Sequence, residues 1–131
     1  MSYLIDLKYI KVWFSLGLFW VLVITSISLY PRPPDLSSIT FGDKIVHCLS
    51  YFWLMIWFLQ IVKIKAQLVT AFAIIALGVM IEVLQGLSGY RTFDFYDMLA
   101  NSAGVLIAWK LKNTEMVNLI SKFESRLIRA V

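Results

Sequence analysis

Charge is scarce in this chain. Charged residues fill 15% of its 131 positions and apolar residues 60%, against about 25% and about 45–50% in ordinary soluble domains. A single core in a chain this short cannot hide so much apolar surface from water. An ordinary soluble domain is therefore excluded, and a bilayer is the matching solvent. Cysteine occurs once, as Cys48, so an internal disulfide is impossible and two-cysteine metal or redox signatures are absent. The basic residues form short runs between apolar blocks rather than one clustered face, which argues against nucleic acid as a partner. Neither Ser-x-x-Lys nor Gly-x-Ser-x-Gly occurs, so no activated serine stands out. Repeats, low-complexity tracts and linkers are also missing, and residues 1–131 read as one domain.

What the chain does have is four long apolar stretches, at about residues 12–30, 45–62, 66–85 and 94–110. A spanning helix needs roughly 20 such residues, with a range of about 17–25. The first stretch is uncharged, the third carries only Glu82, and the fourth is interrupted by Asp97 and Asn101. Pro31, Pro33 and Pro34 break the chain after the first stretch, since proline removes a backbone donor and fixes φ. Lys63 to Lys65 makes a tight polar break, and Gly86-Leu-Ser-Gly89 supplies glycines suited to a helix end. Lys8 and Lys11 before the first stretch, with Ser26-Ile-Ser28 near its end, also fit a signal peptide. The run of 19 residues from Val12 to Tyr30 exceeds the 7–15 usual for such a segment, so it is read as a span. The expected fold is all-α, an integral membrane four-helix bundle.

Lysine and arginine orient it. With four spans, Lys8, Lys11, Lys63, Lys65, Lys110, Lys112, Lys122, Arg126 and Arg129 share one side, and Arg32, Lys44 and Arg91 the other. Nine against three places both termini in the cytoplasm. The acids divide the opposite way: Asp35, Asp43, Glu82, Asp94 and Asp97 fall outside, and Asp6, Glu115 and Glu124 inside.

Helical spacing then gathers the outer polar residues. Asp43 and Lys44 start the second span, with His47 one turn deeper and Ser50 and Tyr51 beyond it. Glu82 and Gln85 share the last turn of the third span. Asp94, Asp97 and Asn101 form one stripe on the fourth, and Arg91 lies in the preceding loop. Ionisable groups in a span are costly unless paired or wet, and they mark sites. Two helix N-termini at the same face add positive potential. Asp43 and Asp94 also suit helix capping, Lys44 and Arg91 suit headgroup contact, and Asn101 suits helix–helix bonding above Gly104 and Ala108.

The runs Asp43-Lys-Ile-Val-His47-Cys-Leu-Ser-Tyr51, Glu82-Val-Leu-Gln85 and Arg91-Thr-Phe-Asp94-Phe-Tyr-Asp97-Met-Leu-Ala-Asn101-Ser-Ala-Gly104 resemble the VanZ-like family. That family comprises small bacterial membrane proteins named for an accessory protein of low-level teicoplanin resistance. The resemblance covers about residues 40–110. It implies the family's polar positions for Asp43, Lys44, His47, Tyr51, Glu82, Gln85, Arg91, Asp97, Asn101 and Gly104, and a bacterial inner-membrane, multi-pass location, but no reaction.

Residues 113–131 lie beyond the resemblance. Met116, Ile120, Phe123 and Leu127 fall at helical spacing, with Lys122, Arg126 and Arg129 on another side, which fits a basic amphipathic helix on the anionic inner leaflet. Three function classes stand open. The leading one is a polar site for a cell-envelope ligand, such as an anionic lipid-linked wall precursor held by Lys44 and Arg91. The next is a membrane enzyme with His47 and Glu82 as acid–base pair, their pKa values drawn toward neutrality by burial and proximity. The last is a structural network or a divalent-cation site on the acids. No other cofactor is called for. A transporter is disfavoured, because nothing ionisable continues the path inward.

Overall fold

A computed structural model describes residues 4–31 and 41–129 of the chain. Arg32, Pro33, Pro34 and Asp35, which entered the reading of the first loop, and the last two residues of the tail lie outside that range. Among the described residues the fold is all-helical. The helices are α1 (Ile10–Ser28), α2 (Gly42–Leu59), α3 (Ile64–Leu87), α4 (Phe95–Lys110) and α5 (Leu119–Arg129), with a 3-10 turn at Glu115–Asn118. One isolated antiparallel bridge joins Leu4 to Val62.

Helices α1 and α3 are long and apolar enough to cross a membrane. Their outward faces carry large apolar side chains: Leu22 is 65% exposed, Val69 69% and Phe72 65%. Helix α2 is the hub, packing against α1, α3 and α4. Its Leu54, Met55, Ile56, Phe58 and Leu59 supply much of the buried core. Helix α1 rests on α2 through stacked aromatics: Trp13 and Trp57 have ring centroids 6.3 Å apart, and Trp20 and Trp53 are 5.9 Å apart.

The element ends differ from the apolar pattern for local reasons. Helix α2 begins at Gly42, three residues before the apolar run, after Phe41 turns the chain at a left-handed φ of 57°. It stops at Leu59 although the apolar run continues to Val62. There the Ile61 carbonyl accepts from the Ile5 N–H at 3.0 Å, so the N-terminal segment takes the backbone that would have continued the helix. Helix α3 passes through Gly86, and the turn to α4 is made by Gly89 at φ 77°, a region glycine enters without steric cost.

The tail is held more firmly than an amphipathic pattern foretells. Glu124 is buried, and its carboxylate accepts from the backbone N–H of Lys8 (2.6 Å) and Tyr9 (3.2 Å) and from Trp13 Nε1 (2.9 Å). Tyr9, the N-cap of α1, offers no side-chain cap, and Glu124 reaches from the far end of the chain to the amides of Lys8 and Tyr9 that lead into the helix. Gln60 Oε1 does the same for α5, accepting from the Ile120 N–H at 3.0 Å. Phe123 stands edge-on to Trp13, 6.0 Å between centroids.

The tightest contact in the fold is the crossing of α2 and α4. A Cβ on Gly104 would lie 2.1 Å from the Cys48 carbonyl oxygen and 2.9 Å from the Phe52 nitrogen. Both are backbone atoms and cannot swing away. Gly104→Ala should therefore cost about 3 kcal/mol or more, a fall in Tm of roughly 10 °C for a chain of this size, measured in detergent. An unchanged Tm would mean that the crossing is not this close.

Burial alone would raise the Glu124 carboxyl, but the hydrogen bonds from Trp13, Lys8 and Tyr9 outweigh it and hold the group below its ordinary 4.5. A carboxylate depressed in the fold stabilises above its unfolded value, and that stability is lost as pH falls through the folded value. Acidification below about pH 4.5 should thus lower the exchange protection of the Lys8 and Tyr9 amides. Glu124→Gln should lower it at neutral pH. Protection that ignores both changes would show that the clasp does not form.

Candidate functional site

The close crossing of α2 and α4 sets their first turns side by side, and the site forms there. Lys44 projects from α2, and three carboxylates converge on its ammonium. Asp43 Oδ2 lies 2.8 Å from Nζ, Asp94 Oδ2 2.5 Å and Asp97 Oδ1 2.7 Å. Asp97 is the most enclosed of the three. Asp94 has two further duties. As N-cap of α4 its Oδ1 accepts from the Tyr96 N–H at 2.8 Å, and its own N–H donates to Glu82 Oε1 at 2.6 Å. Asp43, by contrast, is not the N-cap of α2, a place that Phe41 takes.

One turn deeper, His47 faces α4 with both ring nitrogens. Nδ1 is 3.1 Å from Asn101 Oδ1, and Nε2 is 3.5 Å from Asp97 Oδ2. Glu82 of α3 is 1% exposed and joins the network through the Asp94 backbone. Among the described residues its second oxygen has no hydrogen-bond partner, and neither does the hydroxyl of Tyr51, also 1% exposed. The Tyr51 ring lies over Gly78 of α3, where Asn101 also approaches. The arrangement is a buried chain of acid, base and amide groups in which two oxygens remain free to bond.

The helices thus bring together Asp43, Lys44, His47, Tyr51, Glu82, Asp94, Asp97 and Asn101. Two other expected members stand apart. Gln85 turns to α1, where its Nε2 donates to the Ser28 carbonyl at 2.6 Å. Arg91 is half-buried in the α3–α4 loop and makes no ion pair among the described residues. His47 and Glu82 are not hydrogen-bonded to each other; His47 is engaged by α4 instead. The spacing of polar residues did not reveal the role of α1, whose last carbonyls at Ser28 and Leu29 take donors from Gln85 and Tyr90.

The acids bear on cation binding. Carboxylate oxygens of Asp43, Asp94 and Asp97 lie within 4.8 Å of one another, a cluster of hard ligands suited to Ca²⁺ or Mg²⁺. The Lys44 ammonium, however, sits within 2.8 Å of all three. It fills the position a metal would take and neutralises part of the charge that would attract one.

The family model described as VanZ/LLP1 matches residues 2–114. An uncharacterised protein of Schizosaccharomyces pombe is 31% identical over 97 residues, which cover 71% of this chain and 59% of that protein. The chain thus spans little more than half the length of this relative. No solved structure matches.

If Lys44 is the resident cation, Lys44→Met should leave the three carboxylates in mutual repulsion. Breaking a fully buried pair costs about 3–5 kcal/mol; Lys44 and Asp94 keep part of their surface, so about 2–3 kcal/mol is expected. Millimolar Ca²⁺ should recover part of the lost Tm in Lys44→Met and leave the native chain unchanged. A chelator that lowers the Tm of the native protein would instead mark a metal site.

Proposed function

The chain belongs to the VanZ/LLP1 family, and we propose that it is a multi-pass membrane protein that binds a cell-envelope ligand where α2, α3 and α4 pool their polar side chains. One observation carries this reading: among the described residues Glu82 Oε2 and the Tyr51 hydroxyl are buried without hydrogen-bond or ion-pair partners beside a network of ion pairs and hydrogen bonds. Leaving a buried polar atom unpaired costs about 1–3 kcal/mol. Polar groups kept at such cost in apolar helices mark a binding site more often than a structural bond.

In this reading α1 to α4 form a four-helix bundle across the bacterial cytoplasmic membrane, with both termini inside and the polar network at the outer face. The distribution of lysine and arginine and the outward apolar faces of α1 and α3 support that topology. The ligand's chemistry follows from the charges. Lys44 is already matched by three acids, so its power to hold an anion is largely spent. Arg91, three residues before Asp94 and without an ion pair among the described residues, is the group to grip a phosphate with its planar fork. The surplus of carboxylates favours a headgroup that also presents hydroxyl or amine donors. A lipid-linked wall precursor has both parts.

The test is native mass spectrometry of the full chain with its co-purified lipids. Arg91→Ala should strip phosphate-bearing adducts by about tenfold, and Arg91→Lys should restore only part, since a point charge lacks the bidentate geometry. Adducts that survive Arg91→Ala would sink the anion assignment. A reporter active only outside the cytoplasm should give signal when fused after Gly89 and none after Val131. The reverse pattern would overturn the topology.

A further inference from the structure

Glu82 and Tyr51 stand in the polar network without sharing fully in its bonds, and their chemistry narrows what the site can take. Each is 1% exposed. Glu82 Oε1 accepts from the Asp94 N–H at 2.6 Å, while Oε2 and the Tyr51 hydroxyl have no hydrogen-bond partner among the described residues. The two groups are close enough for the Glu82 charge to act on the Tyr51 hydroxyl. The Tyr51 ring is pressed against Gly78 of α3, where a Cβ would stand 2.9 Å from Cε1, so the hydroxyl does not swing away to find water. The carboxylate oxygen lacks a donor there, and the phenol lacks an acceptor.

A phosphate oxygen accepts from Tyr51 but meets Glu82 with like charge. An ammonium donates to Glu82 but leaves the Tyr51 proton without an acceptor. A hydroxyl donates to the carboxylate and accepts from the phenol, so among headgroup atoms it suits both. We propose that Glu82 and Tyr51 read hydroxyls, and that the ligand of this site carries a polyol headgroup, a sugar or glycerol. The inference rests on the ligand site proposed above and names the part of the ligand that Arg91 does not hold. Water has the same two-way bonding pattern, but a pair served by water alone gives no preference between headgroups.

The test uses the full chain in an amine-oxide detergent, which has no hydroxyl. Short-chain phosphatidylglycerol and phosphatidylethanol are the probes, and titration calorimetry is the readout. Both lipids carry one phosphodiester charge, and only the glycerol headgroup has hydroxyls. Phosphatidylglycerol should bind about tenfold more tightly. Tyr51→Phe and Glu82→Gln should each bring that ratio down to about two. Without lipid, the Tm of Tyr51→Phe should hold, since an unpaired hydroxyl takes no bond with it; a clear fall reveals a structural bond and overturns the proposal. Arg91→Ala should weaken both lipids alike and keep the ratio. Octyl glucoside that displaces phosphatidylglycerol assigns the pair to sugar headgroups, and binding that ignores it assigns the pair to glycerol. Equal affinity for the two lipids, or a preference that survives both Tyr51→Phe and Glu82→Gln, overturns the proposal and leaves the anion site standing. If neither lipid binds, the ligand site itself fails and the proposal falls with it.

Discussion

The backbones of α2 and α4 approach until a single added carbon on Gly104 would sit 2.1 Å from the Cys48 carbonyl oxygen. Nearly everything at the polar end depends on that approach. Lys44 and His47 lie on the turns of α2 before Cys48, and Asp94, Asp97 and Asn101 on the turns of α4 before Gly104. Once the two helices touch at one level, the groups above it have no room to avoid one another. Small residues let helices come this close where apolar surroundings give no other drive for association. Of the three ion pairs, the one with Asp97 is the most enclosed and acts in a poorer dielectric than the exposed pair with Asp43.

The two ends of the molecule answer the problem of charge in opposite ways. At one end a lysine is enclosed by acids on its own helix and on α4, and the network closes on itself apart from two oxygens. At the other, three lysines stand around an open cavity that no acid lines.

Much of this was legible in the residues. Four apolar blocks became the four longer helices, with no end moved by more than three residues. Asp43, Lys44, His47, Asp94, Asp97 and Asn101 converge as their spacing indicated, because i, i+3 and i+4 positions share a face whatever the partner helix. Spacing along one helix cannot say which neighbour a side chain meets. Gln85 and Glu82 lie three apart on α3, yet one turns to the end of α1 and the other to the Asp94 backbone. Nor could it show that Lys44 is consumed by acids while Arg91, equally basic, is left over. That outcome depends on which side chain reaches the crossing point, a fact of tertiary packing alone.

The tail shows the same limit from the other side. Its alternation of apolar and basic residues describes a helix that could lie on any membrane surface, and one residue decides otherwise. Glu124 falls on the face with Ile120, where a purely amphipathic helix would carry another apolar side chain. An acid there is a defect in the pattern until the amides of Lys8 and Tyr9, just before α1, are considered. Those amides need acceptors, α1 has no capping side chain of its own, and Glu124 supplies two oxygens from more than a hundred residues away. The family match ends at residue 114, before this helix begins. The clasp is therefore carried by a segment beyond that match, fixed to the same end of the molecule as the lysine cavity, whose wall includes Val117 and Asn118 of the turn leading into α5.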